Sequence, residues 1–65
     1  MRVANQLRLQ ITDGTLRPGE PTPSITTLVQ EHGIARQTAA KALRLLESEG
    51  LVTRIPGLGY YVAEH

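Results

Sequence analysis

The most constraining feature of the chain is the stretch from residue 33 to residue 61, which predicts a helix followed directly by a β-hairpin. Apolar residues recur at helical spacing after Gly33, and Gly50 supplies the stop that commonly lies just beyond the last helical turn. Two short apolar segments follow, and the run Pro56-Gly57-Leu58-Gly59 between them has the composition of a tight turn. Any fold for this chain must therefore hold one helix next to a two-stranded hairpin.

The first half of the chain predicts two further helices separated by a proline-rich connection. Gly14 ends a helix over residues 2–13, and Ser24 is placed to be the N-cap of a second helix that ends at His32. The connection over residues 15–23 carries three prolines, which lack the amide donor that a helix interior needs. We expect it to be either a short ordered linker or a minimal extended strand.

Together these segments predict a small α+β fold, a winged helix-turn-helix in which three helices precede a two-stranded β-hairpin wing. The third helix is expected over residues 36–49, and the two strands over residues 51–55 and 60–63. The whole chain, residues 1–65, is expected to form a single domain. A domain of this length buries only about 60% of the surface that its unfolded chain exposes.

Composition argues against several other classes of protein. The chain has no cysteine and only two histidines, far apart, so we expect no disulfide, no metal and no cofactor. No nucleophile lies beside a base, and so small a core leaves no room for a substrate pocket, so we expect no enzyme. No apolar run approaches the roughly 20 residues that span a bilayer. We therefore expect a cytoplasmic protein with no membrane partner.

Charge is informative through its distribution rather than its total. Seven Lys and Arg against six Asp and Glu give a net charge of only +1. Four of the seven cations nevertheless follow Gly33, at Arg36, Lys41, Arg44 and Arg54. A basic stretch confined to one helix and the adjoining strand is the pattern expected of a nucleic-acid-binding surface.

The third helix separates an apolar face from a polar one. At about 100° per residue, with residue 36 set to zero, the apolar positions fall between roughly 240° and 340°; they are Ala39, Ala42, Leu43 and Leu46. The positions between about 0° and 140° form the opposite face; they are Arg36, Gln37, Ala40, Lys41 and Arg44. One face is expected to pack and the other to remain free.

A helix with a free basic face after a short turn is typical of a recognition helix, whose first residues reach base edges in the major groove of DNA. We expect base contacts from Arg36, Gln37 and Thr38, and phosphate contacts from residues further along. Each residue has a simpler interpretation as ordinary polar surface. Arg44 could instead support the helix through Glu47, and Arg54 could be a cross-strand surface residue.

Three segments resemble the amino-terminal domain of GntR-type bacterial transcription regulators. They are P-G-E-P-T-P-S at residues 18–24, L-V-Q-E-H-G-I-A-R-Q-T-A-A-K-A-L-R-L-L-E-S-E-G-L-V-T-R at residues 28–54, and G-L-G-Y-Y-V at residues 57–62. The resemblance implies a winged helix-turn-helix that binds operator DNA, as a homodimer, to regulate transcription, with repression as the expected mode. In that family a separate carboxy-terminal domain binds the effector, and we expect neither that domain nor an effector ligand within this chain.

The resemblance completes the candidate interface. The recognition helix, residues 36–49, is expected in the major groove, and the wing, residues 55–61, on the backbone or in the minor groove. Tyr61 takes the family's buried aromatic position, and Tyr60 the exposed one. The candidate DNA-binding residues are Ser24, Thr26, Arg36, Gln37, Thr38, Lys41, Arg44, Arg54, Gly57, Leu58, Gly59 and Tyr60.

The chain departs from the family where polar DNA contacts are usual. Ile25 and Thr26 stand where an acidic residue and an arginine are favoured, Ala35 replaces a serine, and Ala40 an arginine; Thr22 replaces a core leucine, and Leu58 lies at a wing tip that is often basic. These losses keep an alternative open. The same fold could be a protein–protein interaction module that binds DNA weakly or not at all.

Overall fold

The computed structural model describes residues 2–64 and contains three helices followed by a hairpin. The elements are α1 (Arg2–Thr12), α2 (Ile25–His32), α3 (Arg36–Ser48), β1 (Val52–Ile55) and β2 (Gly59–Val62). The predicted order and type of elements are confirmed, with bounds within one residue or so of those expected. The predicted single domain included residues 1 and 65, which lie outside the described residues. Within residues 2–64, no helix is both long enough and apolar enough to cross a bilayer.

Local signals position α2 against α3. The Thr27 amide donates to Ser24 Oγ at 3.1 Å, which confirms Ser24 as the N-cap of α2. Gly33 ends α2 with a left-handed φ of 62°, and its amide donates to the Val29 carbonyl at 2.9 Å. Ala35 then takes the N-cap position of α3 with an extended backbone and no side-chain hydrogen bond. The turn between the two helices is therefore fixed by glycine rather than by a cap at α3.

The core is aliphatic and has α3 at its centre. The four apolar positions of α3, residues 39, 42, 43 and 46, are each at most 1% exposed, so the predicted packing face is confirmed. They pack with apolar residues of the other elements; those that are buried are Val3, Ala4, Leu7, Leu28 and Val52. Because the helices and β1 contribute to this cluster and Tyr60 of β2 packs against it, the polar face of α3 is held in a fixed orientation relative to the hairpin.

The hairpin is antiparallel, and its register pairs Val52 with Val62 and Ile55 with Gly59. At the tip, the Leu58 amide donates to the Ile55 carbonyl at 3.0 Å, closing a four-residue turn. Gly57 occupies the third position of that turn with a φ of +81°. A type II turn needs a positive φ there, which only glycine adopts without strain.

The proline-rich connection braces the base of the wing. Pro21 forms an isolated antiparallel bridge with Tyr61, and the Thr22 amide donates to the Tyr60 carbonyl at 2.9 Å. The Val62 amide donates to the Glu20 carbonyl at 2.8 Å. Residues 15–23 are thus mostly an ordered linker with turns, in which only Pro21 pairs as a minimal strand would. The Thr22 hydroxyl also donates to the Tyr60 carbonyl, at 3.0 Å, so this substitution of a core leucine ties the connection to the wing.

The assignment of the two tyrosines was wrong. Tyr60 packs against the core cluster and is half-buried, whereas Tyr61 lies on the other face of β2 and is also only half-buried. Side chains alternate along a strand, and Val62 is buried. Tyr60 therefore shares the inward face with Val62, and Tyr61 cannot.

Candidate nucleic-acid interface

The first turn of α3 presents polar side chains away from the core. Arg36 and Gln37 are exposed and Thr38 is half-buried, while Lys41 and Arg44 are exposed further along the helix. All five lie on an element whose opposite face is packed. The structure therefore brings Arg36, Gln37, Lys41 and Arg44 onto the free side of α3, as the helical periodicity indicated, and places Thr38 at the border with the packed face.

Arg36 reaches across the turn to α2. Its Nη1 donates a long hydrogen bond of 3.4 Å to Thr26 Oγ1, a residue ten positions earlier. The first turns of α2 and α3 are thus joined by side chains as well as by the chain itself. Sequence reasoning placed both residues at the interface but did not predict that they contact each other.

The wing contributes one cation and an apolar tip. Arg54 pairs directly with Tyr60 in the hairpin register, so the two share the face of the hairpin that looks toward the helices. Leu58 at the tip is 69% exposed and Ile55 beside it is 36% exposed. The side chains most available at the tip are therefore aliphatic rather than charged.

An open cleft of about 380 Å³ separates the wing from the starts of α2 and α3. Eight of the twelve predicted DNA-binding residues line it: Ser24, Thr26, Arg36, Arg54, Gly57, Leu58, Gly59 and Tyr60. The other four, Gln37, Thr38, Lys41 and Arg44, lie on α3 outside it. No aspartate or glutamate is among its lining residues. The predicted site is thus divided between a cleft and the adjoining helix surface.

The cations near the two ends of α3 differ in whether a carboxylate pairs with them. Beyond the last turn, Arg8 of α1 binds Glu49 through two hydrogen bonds, of 2.8 Å and 2.7 Å. The hydrogen bond from Arg8 lowers the pKa of the Glu49 carboxyl, and the same bond raises the pKa of Arg8. Within residues 2–64 this is the one ion pair closer than 4.0 Å. The cations of α3 and of the wing have no such partner there, so the alternative in which Glu47 pairs with Arg44 is not formed.

These features define a class of protein. Three helices, a glycine turn before α3, a hairpin wing and an unneutralised basic helix face together make a winged helix-turn-helix domain of the kind that transcription regulators use to bind DNA. The chain belongs to the GntR family: the model described as "Bacterial regulatory proteins, gntR family" matches residues 1–62. That family consists of transcription regulators.

Individual relatives agree with this assignment. The chain is 38% identical over 63 residues to the HTH-type transcriptional repressor NagR of Bacillus subtilis, covering 97% of this chain and 26% of NagR. It is 41% identical over 63 residues to the histidine utilization repressor of Pseudomonas putida, covering 97% of this chain and 25% of that protein. The chain thus spans about a quarter of the length of these two relatives.

A solved structure connects the fold with DNA. The structure described as AraR(DBD) in complex with operator ORR3 matches with a TM-score of 0.91 and 32% identity, covering 95% of this chain and 75% of that one. The winged-helix architecture predicted from the sequence is therefore confirmed at the level of the fold.

Proposed function

We propose that this domain binds operator DNA sequence-specifically as the DNA-reading part of a bacterial transcription regulator, with repression as its mode of action. One observation carries the proposal. The cations at positions 36, 41, 44 and 54 lie on α3 and the wing without a carboxylate partner in residues 2–64, whereas Arg8 at the far end of α3 is neutralised. A duplex supplies the phosphates that such a surface lacks.

The proposed arrangement places the first turns of α3 in the major groove. The free face of α3 carries Gln37 for base edges, while Lys41 and Arg44 lie further along the helix where a groove wall passes. The small side chain of Ala40, on the free face, keeps the helix narrow near the duplex. The wing then lies on the backbone or in the minor groove, and the backbone amide of Gly57 at its tip faces a phosphate.

Two copies on neighbouring half-sites complete the proposal. A domain with so few contacts to the DNA backbone binds weakly alone. When two linked copies bind half-sites one helical turn apart, binding of the first raises the effective concentration of the second at its half-site, so the pair binds more tightly. The names of the relatives support regulation by repression, since two of them are repressors. Location in the bacterial cytoplasm follows from that role.

Fluorescence anisotropy with a labelled duplex of random sequence tests the proposal. Four phosphate contacts predict a slope of about −4 for log affinity against log salt between 50 and 200 mM. A duplex selected by the domain from a random pool should bind more tightly than the random one by a salt-independent factor.

The rival function predicts a different result. A protein-interaction module would show no salt-dependent affinity for any duplex and would enrich no sequence from the pool. That outcome would contradict the proposal and favour a protein partner on the same face.

A further inference from the structure

We propose that Thr22 is a positioning residue for DNA binding, because its hydroxyl holds strand β2 at the point where β2 pairs with Arg54, the cation of the wing. This inference rests on the proposed DNA-binding function and adds a residue that is absent from the candidate DNA-binding residues. Thr22 acts through the strand that it holds, so it is not itself proposed as a DNA contact.

The proline-rich connection is joined to β2 by hydrogen bonds from three of its residues. Within residues 2–64, three backbone hydrogen bonds link Gly19, Glu20 and Thr22 to β2. The Thr22 hydroxyl adds a side-chain bond, to the Tyr60 carbonyl at 3.0 Å. The same carbonyl accepts the Thr22 amide at 2.9 Å, which it can do because a carbonyl oxygen has two lone pairs. Both bonds from Thr22 are made at Tyr60, nearer to the wing tip than the bonds made at Val62.

The Thr22 hydroxyl has a single proton, and the distances indicate where it is used. The hydroxyl oxygen lies 3.0 Å from the Tyr60 carbonyl and 3.4 Å from the Pro23 carbonyl. Hydrogen bonds between a hydroxyl and an oxygen are rarely longer than about 3.0 Å, so the proton is donated to Tyr60. Thr22 is half-buried, which strengthens this bond relative to one in open solvent.

The bond connects the wing cation with the start of α2. Tyr60 lies directly opposite Arg54 in the hairpin register, and its side chain packs against the core. Two residues after Thr22, Ser24 caps α2. Thr22 therefore fixes the backbone of the strand that pairs with Arg54, relative to a helix that packs on α3. The position of the wing cation relative to α3 follows from this chain of contacts.

Removing the hydroxyl should loosen the wing without unpacking the domain. Thr22 is not a member of the buried core cluster, and its amide still donates to Tyr60 when the hydroxyl is gone. A two-stranded hairpin is only marginally stable in water by itself, so its attachment to the connection decides how often the outer part of β2 is in place. The affinity of a site falls with the fraction of molecules in the binding-competent conformation.

The first experiment measures affinity for a labelled random duplex at a temperature where circular dichroism shows every variant to be folded. Thr22→Val keeps the shape and removes the hydroxyl. It should weaken binding at least twofold and at most roughly tenfold, the upper limit being the full contribution of one ordinary hydrogen bond. Thr22→Ser keeps the hydroxyl and should restore the affinity. Thr53→Val makes the same chemical change at an exposed position of β1 and, as the matched control, should bind as the unmodified chain does. Unchanged affinity in folded Thr22→Val would overturn the inference.

A double-mutant comparison tests whether Thr22 acts through the wing cation. In an Arg54→Ala background, Thr22→Val should change the affinity by less than about twofold, because the charge that Thr22 positions has been removed. An equal fold-loss in both backgrounds would contradict this route of action.

Amide hydrogen exchange without DNA tests the structural premise. In Thr22→Val the amides of Thr22 and Val62, which join the connection to β2, should exchange roughly two- to tenfold faster. The Gly33 amide, which donates to Val29 at the end of α2, is the internal control and should keep its rate. Equal acceleration at all three amides would indicate general destabilisation and would contradict a local role, as would unchanged rates at Thr22 and Val62.

The outcomes also separate this inference from the function on which it rests. Absence of any salt-sensitive binding by the unmodified chain would contradict DNA binding and the positioning role together. Normal binding by the unmodified chain that Thr22→Val leaves intact would contradict only the role of Thr22.

Discussion

Helix α3 begins among arginine side chains that have no carboxylate partner and ends beside one that has. At its start, Arg36 donates to a neutral hydroxyl and shares a cleft free of carboxylates with Arg54. Just past its end, Arg8 is held by both oxygens of Glu49. The cation beside the end of this 13-residue helix is thus paired with a carboxylate, whereas the cations at its start are not.

The difference indicates how a chain of net charge +1 can present a basic surface. The acid Glu49 pairs with Arg8 where α1 meets the end of α3, whereas no acid lines the cleft that Arg36 and Arg54 share. Total charge is therefore a weak guide to DNA binding, whereas the location of the unpaired cations is a strong one.

The largest predicted effect is on the free energy of unfolding, and it comes from the apolar face that runs along α3. Leu46 is fully buried, so Leu46→Ala should lower the free energy of unfolding by about 2–5 kcal/mol. Leu45→Ala is the matched control, because that side chain is 38% exposed, and it should cost less than about 1 kcal/mol. Urea unfolding followed by circular dichroism measures both. Equal losses in the two variants would refute the assignment of the packing face.

Replacing a cation on the free face of α3, and separately the paired cation beside the end of α3, tests whether the two side chains have different functions. Lys41→Ala should weaken binding to every duplex about tenfold at 0.1 M salt, because one released counterion is lost. Arg8→Ala should leave DNA affinity unchanged, since its charge is used within the protein. Anisotropy titrations of the two variants make the comparison. Similar losses in both would mean that the surface acts only through net charge.

The unfilled cap at the start of α3 predicts a gain in stability. Ala35 has the extended backbone of an N-cap but no side-chain acceptor, so Ala35→Ser should stabilise the domain by about 1 kcal/mol. For a domain of this size that raises the Tm by roughly 4–8 °C. Ser24→Ala, which removes the cap that α2 does have, should lower the Tm by a similar amount, and thermal scans test the pair. An unchanged Tm in Ala35→Ser would show that the turn, rather than the missing acceptor, limits α3.

The smallest predicted effect is the contribution of the Arg8–Glu49 ion pair to stability, which depends on pH. Arg8 lowers the pKa of Glu49 in the folded state, so the stabilisation is complete above the ordinary glutamate pKa of 4.5 and is lost as the pH falls through the lower folded value. Asp13, whose pKa is lowered mainly by the Thr15 backbone amide, contributes in the same direction.

The Glu49→Gln variant isolates this contribution. It should be slightly less stable than the unmodified chain at neutral pH, and the difference should shrink as the solution becomes acidic. Asp13→Asn removes the other carboxylate as a control. A difference that grows toward low pH would have the wrong sign for this ion pair.

The parts of the structure that local patterns determine were predictable from the sequence. Helical periodicity identified the buried face of α3, and cap chemistry identified Ser24 and Gly33, because these depend on residues within a turn or two of each other. The residues of the candidate interface on α3 follow from the same periodicity, since the face that does not pack must be exposed.

Contacts between distant residues were not predictable in this way. The side of β2 on which each tyrosine lies depends on register and on the core, and it was predicted wrongly. Arg8 and Glu49 are 41 positions apart, and Thr26 and Arg36 lie on different helices, so no periodicity connects them. Thr22 carried only the signal of an unusual polar residue, and its bond to the wing needs the fold to be known.

The most direct test of the contrast between the two ends of α3 is an NMR titration of the labelled domain with a short duplex at low and then moderate salt. We expect the amide shifts to be confined to Ser24 to Thr26, Ala35 to Arg44 and Arg54 to Tyr60, and to weaken as salt rises, while Arg8 and Glu49 stay unchanged. Salt-sensitive shifts centred on Arg8 and Glu49, or no shifts on any duplex, would contradict the account.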